Sequence, residues 1–593
     1  MKHFTPRLIM FLTVAALLCG EAGLFAATPI KREFRAVWVS TVYCLDWPTK
    51  STGEALQGTS TLIVNTQKLR LRQILDSMKQ HRFNVIFFQV RPMSDALYRS
   101  SVEPTSSYLT GSRGVRASWD PLEFAVEEAH KRGLELHAWV NPYRWAGSAT
   151  VDWNTPWDQE VKNKGWILST SSGKILNPGI PEVEEHIVNV CKEIITNYDV
   201  DGLVFDDYFY NSGTPENSTA GDWQTYRNSG TSMSMADWRR DNVNRMIKAV
   251  YDMVQENKPY VRFGVSPAGV ASGGAADVGI EPYRGASDWQ YAGIYSDPLA
   301  WLDQGSVDYI SPQLYWRTNH ATNPFGPLTR WWSNTAKHFN RHHYASHSVS
   351  SLTNNSTTAD WLEYATQVQL SRDYTQDNAP GCVFFRSGFI SGPNAKGLGH
   401  YLENNKFQSE SLVPEITWKD HDTYGTVSDI NIEDNTLSWT GLDDEPVKYS
   451  VYAIPSDMDY EDALRSDGDG ISTEYLLGVS YENSYTIPEE KMSDYGFAVC
   501  ILDKYGKEYA PQTFDVLGIN PVSNDGFALK MSGRILRFTH NAASVQVYDM
   551  TGICVAQYRN VDEVELDLPD GIYIVKAKSD SGSLITSKLK IHY

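Results

Sequence analysis

Cysteine is scarce, with six in 593 residues and no CxxC pair among them. Removal of an N-terminal leader would leave Cys44, Cys191, Cys382, Cys500 and Cys554, an odd set that fits neither a disulfide framework nor a zinc module. Buried single thiols are the expectation. Long apolar runs are also missing: beyond the N-terminus nothing approaches the roughly 20 uninterrupted apolar residues of a membrane helix, so no transmembrane span is expected. Basic charge is in deficit, with 52 Lys and Arg against 72 Asp and Glu, for a formal charge of −20. That argues against nucleic acid as a partner, because phosphate neutralisation needs a basic surface. GLGH at Gly397–His400 lacks the Walker lysine and the dinucleotide glycine spacing, and no GxSxG elbow occurs, which counts against an esterase. His338, His342, His343 and His347 follow neither HExxH nor a paired carboxylate motif. No metal and no cofactor is expected.

What is present is unevenly placed. From Ser411 onward 31 acids face 14 bases, whereas the chain before it is nearly balanced, with 41 against 38. Tryptophan divides the other way, 16 of 18 preceding Ser411, so a binding cleft is sought in the first part. At the N-terminus Lys2 and Arg7 precede an apolar run from Leu8 to Leu18 and then small residues, the pattern of an export signal over residues 1–27 cut near Ala26 or Ala27. Cys19 raises a lipid anchor as the alternative, against which Leu18 is a poor fit. The mature protein is expected in the periplasm, on the outer surface or secreted.

Between Arg32 and Glu410 short apolar runs alternate with helical periodicity, the grammar of βα units. The runs are Phe34–Ser40, Asn84–Val90, Leu134–Val140, Gly202–Asp207, Val261–Ser266, Asp308–Trp316, His342–Val349 and Cys382–Ser387. The fold class is therefore α/β, and eight runs predict a closed (β/α)8 TIM-type barrel over 30–410, with enlarged loops after Asn211 and Ala268. Past Val413 the spacing changes to short strands with turn signals. It predicts two small all-β sandwich domains, over 414–516 and 518–593.

Chemistry in such a barrel sits at the C-terminal ends of the strands. Those positions hold Trp38; Gln89, Arg91 and Asp95; His137, Trp139, Asn141, Tyr143 and Arg144; Tyr208; Ser266; Gln313, Tyr315 and Trp316; and Arg386, all read as substrate contacts. Polar edges among flat aromatic faces suit sugar rings. Within DGLVFDDYFY an apolar strand ends in Asp206 and Asp207, carboxylates that would be costly to bury unless used or paired. Glycoside hydrolysis needs one carboxyl kept protonated and another ionised. Strand alternation sends the two to opposite sides, and which side faces the pocket is open. Among Asp297, Asp95, Asp288 and Glu281, Asp297 is preferred as a further catalytic acid, with a helix N-cap as its alternative role.

EFRAVWVST (Glu33–Thr41), FNVIFFQVRPMSDALYRS (Phe83–Ser100), WDPLEFAVEEAHKRGLELHAWVNPYR (Trp119–Arg144), LNPGIPEV (Leu176–Val183), YDVDGLVFDDYFY (Tyr198–Tyr210), DWRRDNVN (Asp237–Asn244), FGVSPAG (Phe263–Gly269) and DYISPQLYW (Asp308–Trp316) together resemble the glycosyl-hydrolase-like family 10 domain. The resemblance implies a TIM-type barrel of the bacterial envelope that hydrolyses glycosidic bonds, with peptidoglycan strands stripped of peptide as the leading polysaccharide substrate. It places Asp206 and Asp207 in the family's fourth-strand motif, Arg91 and Asp95 in its second, and His137, Asn141 and Arg144 in its third. GVASGGAADVGIEPYRG after Ala268 departs from the family's pattern and puts the fifth-loop contacts in doubt. The sandwich expected over 414–516 resembles a fibronectin type III module. The end of the chain, from VYDMTGICVA onward, resembles a type IX secretion sorting domain of Bacteroidota, implying secretion machinery as a partner. A non-catalytic carbohydrate-binding barrel is the main alternative, with another chemistry such as deacetylation or elimination behind it.

Overall fold

The computed structural model describes residues 29–591 except for 51, 149, 216–220, 284–287, 353–356, 376–377, 392–396, 443–444, 457, 459, 493–494, 515–526, 528 and 533. The export-signal pattern lies outside the described residues, as does the junction near Val516. The eight apolar runs become eight parallel staves: β1 Phe34–Val39, β2 Val85–Arg91, β3 Glu135–Val140, β4 Gly202–Phe205, β5 Arg262–Val265, β6 Tyr309–Ile310, β7 in two pieces (His342–His343 and Ala345–Ser348) and β8 Gly381–Phe385. Each pairs with the next, and β8 pairs with β1, so the sheet closes. A principal helix follows every stave: α1 Thr61–Gln80, α2 Pro121–His130, α3 Pro181–Asn197, α4 Met235–Asn257, α5 Pro298–Asp303, α6 Phe325–His338, α7 Thr358–Thr375 and α8 Leu398–Asn405.

Strand alternation divides the core in two. Phe34, Ala36, Trp38, Val85, Phe87, Trp139, Val204, Tyr309, Tyr344 and Val383 fill the barrel interior. Their neighbours Val37, Ile86, Phe88, Leu136, Leu203 and Phe205 face the helix layer. Burial on both faces is why the staves read as continuous apolar runs. The interior fits large rings against missing ones. A Cβ on Gly202 would lie 2.5 Å from the His137 ring, and one on Gly264 would lie 2.1 Å from the Tyr309 ring. Caps fix where helices begin. Asp120 accepts the backbone N–H groups of Leu122 and Glu123 ahead of Pro121, a cap whose loss costs about 1 kcal/mol.

Past Ser411 a three-stranded and a four-stranded antiparallel sheet enclose their own apolar core around Trp439, Tyr449, Val451 and Val499. A six-stranded antiparallel sheet between Leu529 and Ile591 follows. The four-stranded sheet reaches the bottom of the barrel. Lys448, which opens the strand Lys448–Pro455, puts its Nζ 2.7 Å from Glu135 Oε1 and 3.3 Å from Asp201 Oδ1. Tyr481 donates to Asp201 at 2.8 Å and stacks on His130 with ring centroids 3.6 Å apart. This closure leaves the opposite mouth, where the strands end, for chemistry. Four cysteines are buried single thiols as expected; Cys554 is exposed on the last sheet.

Candidate active site

Asp206 directly follows β4 and continues the inward set of Gly202 and Val204, so its carboxyl stands in the upper mouth of the barrel. It is only 5% exposed. Asp206 Oδ2 accepts from Asn141 Nδ2 at 2.6 Å and from Trp139 Nε1 at 3.1 Å, and Oδ1 accepts the Tyr208 N–H at 3.3 Å. Gln89 Nε2 donates to Asn141 Oδ1 at 2.7 Å, while Gln89 Oε1 accepts the backbone N–H groups of Thr41 at 2.9 Å and Val42 at 2.8 Å. One hydrogen-bond chain thus runs across the tips of β1, β2, β3 and β4 and ends on a carboxyl. The edge of Trp38 packs on Trp139 with centroids 4.7 Å apart, fixing the indole that donates.

Asp207 has the opposite parity and is half-buried. It accepts a hydrogen bond from Gln313, whose Nε2 also reaches the Ser266 carbonyl at 3.2 Å. The Arg144 guanidinium lies 4.7 Å from the Tyr208 ring and 5.9 Å from the Tyr43 ring, and its charge acts on both carboxyls. Tyr208 is 45% and Tyr315 36% exposed. With Tyr43, held at φ 53°, they present flat faces around the pair. Tyr43 escapes the reading of strand tips because it lies beyond the first one, in a turn; TVYCLDW after β1 is the signal that would have found it.

Burial, and then the charge of Asp207, push the Asp206 carboxyl up to about 7 against the Tyr208 N–H, Arg144 and Asn141. Burial raises Asp207 as well, opposed by Gln313 and Arg144. Two carboxyls this close titrate as a pair, so one proton stays on the pair near neutral pH. If that proton is used, kcat/KM falls as pH rises through about 7, and falls again in acid once the second carboxyl is protonated. Arg144→Gln removes a cation that favours ionisation. The alkaline limb should therefore move to higher pH, which a pH profile of kcat/KM in parent and variant measures; an unmoved limb contradicts it.

A carboxyl pair with a retained proton under aromatic faces is the equipment of a glycosidase, and residues 33–363 match the family described as Glycosyl hydrolase-like 10. The chain belongs to this family. It is 34% identical over 396 residues to Glycosyl hydrolase YngK of Bacillus subtilis (strain 168), covering 66% of this chain and 75% of that protein. It is likewise 34% identical over 388 residues to Glycosyl hydrolase DigH of Escherichia coli (strain K12), covering 63% and 87%. The PgaB (BpsB) glycoside hydrolase domain from Bordetella bronchiseptica aligns with 64% of this chain and 100% of its own at 14% identity and a TM-score of 0.40. Glycosyl hydrolase-like 10 membership and the barrel make the protein a glycosidase.

Several residues expected to touch substrate take other places in this glycosyl hydrolase-like 10 barrel. Arg91 pairs with Val140 across a register shift after Gln89, which turns it away from the mouth. It grips Glu103 through two bonds of 2.6 and 2.7 Å, and Glu103 also meets His186 Nε2 at 2.8 Å. Asp95 is buried against Arg113 at 3.2 Å. Tyr143 belongs to the core between strands and helices. His137 does point inward, but one layer below Trp139, where it meets the Tyr309 hydroxyl at 2.9 Å and Glu135 at 3.4 Å. Arg386 ties the loop after β8 to Asp46 in the loop after β1. Trp316 lies where a Cβ on Gly269 would come 2.7 Å from its ring, backing the β6 loop. Ser266 is buried at the tip of β5, its carbonyl taken by Gln313.

Asp297 caps α5, accepting the Ala300 N–H at 3.2 Å. Burial lifts it to about 6, and its charged neighbours are Arg240, Asp277 and Asp288 rather than the Asp206–Asp207 pair. The histidines near β7 are dispersed: His342 meets the Tyr344 hydroxyl at 2.8 Å and His347 meets Gln367 at 2.8 Å. A concavity of about 1510 Å³ at the bottom of the barrel is lined in part by charges already paired, Arg372 with Glu33 and Arg465 with Asp467 among them.

Proposed function

We propose that the protein hydrolyses glycosidic bonds of peptidoglycan glycan strands from which the peptides have been removed. The observation that carries this reading is the carboxyl pair at the end of β4, held by the Gln89–Asn141 chain and surrounded by Tyr43, Tyr208, Tyr315 and Arg144. A muramic acid residue without its peptide exposes a free lactyl carboxylate, and a guanidinium at the rim of the cleft is its complement. The pair divides the labour. Asp207, whose charge Gln313 and Arg144 favour, is the carboxylate that stabilises positive charge developing at the anomeric carbon. Asp206, its carboxyl raised to about 7, hands its proton to the glycosidic oxygen as the C–O bond breaks. Water then adds to the anomeric carbon and returns a proton to the pair. No cofactor enters this scheme.

The N-terminal basic and apolar pattern supports export, and the all-β segments after Ser411 support a fibronectin type III-like spacer and a sorting-like end that engages secretion machinery. The test is product analysis by mass spectrometry after incubation with whole and with peptide-free sacculi. Soluble oligosaccharides released from the peptide-free material alone are expected. Release from whole sacculi at the same rate overturns the preference for stripped strands. No release from either sacculus, with turnover of another glycan, overturns the substrate class.

A further inference from the structure

Three donor atoms converge at the seam where the first and last helices of the ring meet. His81 closes the C-terminus of α1 and is buried. His400 and Glu403 lie on α8 at i and i+3, one above the other on the same helix face. Glu403 Oε2 is 3.0 Å from His81 Nδ1 and 3.5 Å from His400 Nδ1, and all three donors lie within 4.8 Å of one another. A tetrahedral ion with bonds of roughly 2.0–2.1 Å holds its ligand atoms about 3.3 Å apart, and the two distances to Glu403 Oε2 bracket that spacing.

A histidine–glutamate hydrogen bond would account for His81 alone. His400 is 67% exposed on its side chain, with water available on most sides, yet it aims Nδ1 at the same carboxylate oxygen. The two imidazole rings stand edge to face, 4.7 Å apart at 84°. The surroundings fix this arrangement. A Cβ on Gly399 would come 2.5 Å from the His81 ring, so glycine there lets the ring lie on α8. Arg82 Nη1 is 3.9 Å from Glu403 Oε1 and donates to the Phe407 carbonyl at 2.9 Å, steadying the carboxylate through the oxygen that faces away from the histidines.

We propose that His81, His400 and Glu403 bind one divalent cation of the zinc class, with water in the remaining position, as a clip between α1 and α8. Two imidazoles and one carboxylate select zinc, nickel or copper ions over magnesium or calcium. His81 precedes β2 by a few residues, at the end of the barrel away from Asp206, so the ion is structural and outside the hydrolytic scheme. Among the described residues this is the one place where three such donors converge.

The test uses the full chain, dialysed against chelator and titrated with zinc sulfate by calorimetry, with thermal melting in parallel. One zinc per chain with micromolar or tighter affinity and a rise in melting temperature on addition are expected. His400→Ala and Glu403→Gln should each weaken binding by roughly 100-fold and abolish the rise. His400 is exposed, so His400→Ala without metal should melt with the parent and hydrolyse glycan at the parent's rate. Cobalt(II) substituted into the parent should show the visible absorption of a low-symmetry four-coordinate site, absent from the variants. A parent that binds no zinc, or variants that bind it as tightly as the parent, would overturn the assignment.

Discussion

Asp206→Asn should lower kcat on glycan strands by about 10²–10⁴-fold while leaving much more of the turnover of an aryl glycoside. A nitrophenol leaves without needing a proton, whereas a sugar hydroxyl does not. Asp207→Asn should lower both substrates together, by about 10²–10³-fold, because the charge it removes acts on the anomeric carbon whatever the leaving group. The two profiles assign the roles: exchanged profiles would exchange the assignments, and undiminished turnover in both variants would remove the pair from the mechanism. Stability separates chemistry from folding. Burial raises both carboxyls and the charge of Asp207 raises Asp206 further, so neutralising either relieves a strained pair. Asp206→Asn is expected to melt at or above the parent temperature, in keeping with the destabilisation that active sites carry.

The second large effect lies at the other end of the barrel. Lys448→Met leaves Glu135 and Asp201 buried without their shared cation, and breaking such a group by removing one partner costs about 3–5 kcal/mol. The pH dependence follows from Glu135. Burial works against its charge, but Lys448 and Arg262 outweigh burial and hold the carboxyl at about 2. A depressed carboxylate contributes stability above its unfolded value, and that contribution is lost as pH falls through about 2. In the variant the same carboxyl takes up a proton readily, so the difference between parent and variant should be largest near pH 7 and shrink toward pH 3. Urea unfolding at the two pH values measures this. Glu135→Gln in the Lys448→Met background should recover part of the loss. A pH-independent difference would mean that lost packing, not the buried charges, is responsible.

Much of the barrel was legible because its staves are buried on both faces and show as apolar runs; each of the eight runs became a strand. Asp206 and Asp207 were legible as a pair, but not their orientation. Parity needs a reference, and that came only once Val204 and Trp139 were seen together in the interior. Arg91 misled for a related reason: the register shift after Gln89 breaks the alternation that would have sent it inward. Asp297 carries both a capping signal and a strand-end position, and the structure shows the cap. Lys448 was beyond reach, since 313 residues separate it from Glu135 and nothing local marks a lysine as destined for a carboxylate in another part of the fold.

The Gln89–Asn141–Asp206 chain is anchored on backbone N–H groups of Thr41 and Val42 at the tip of β1, whereas the long excursions follow β4 and β5. Among the described residues, none beyond Asn211 or Ala268 in those excursions takes part in the hydrogen bonds that hold the Asp206 carboxyl. Segments after Asn211 and Ala268 exchanged between relatives should transplant glycan preference while the turnover number stays with the host scaffold.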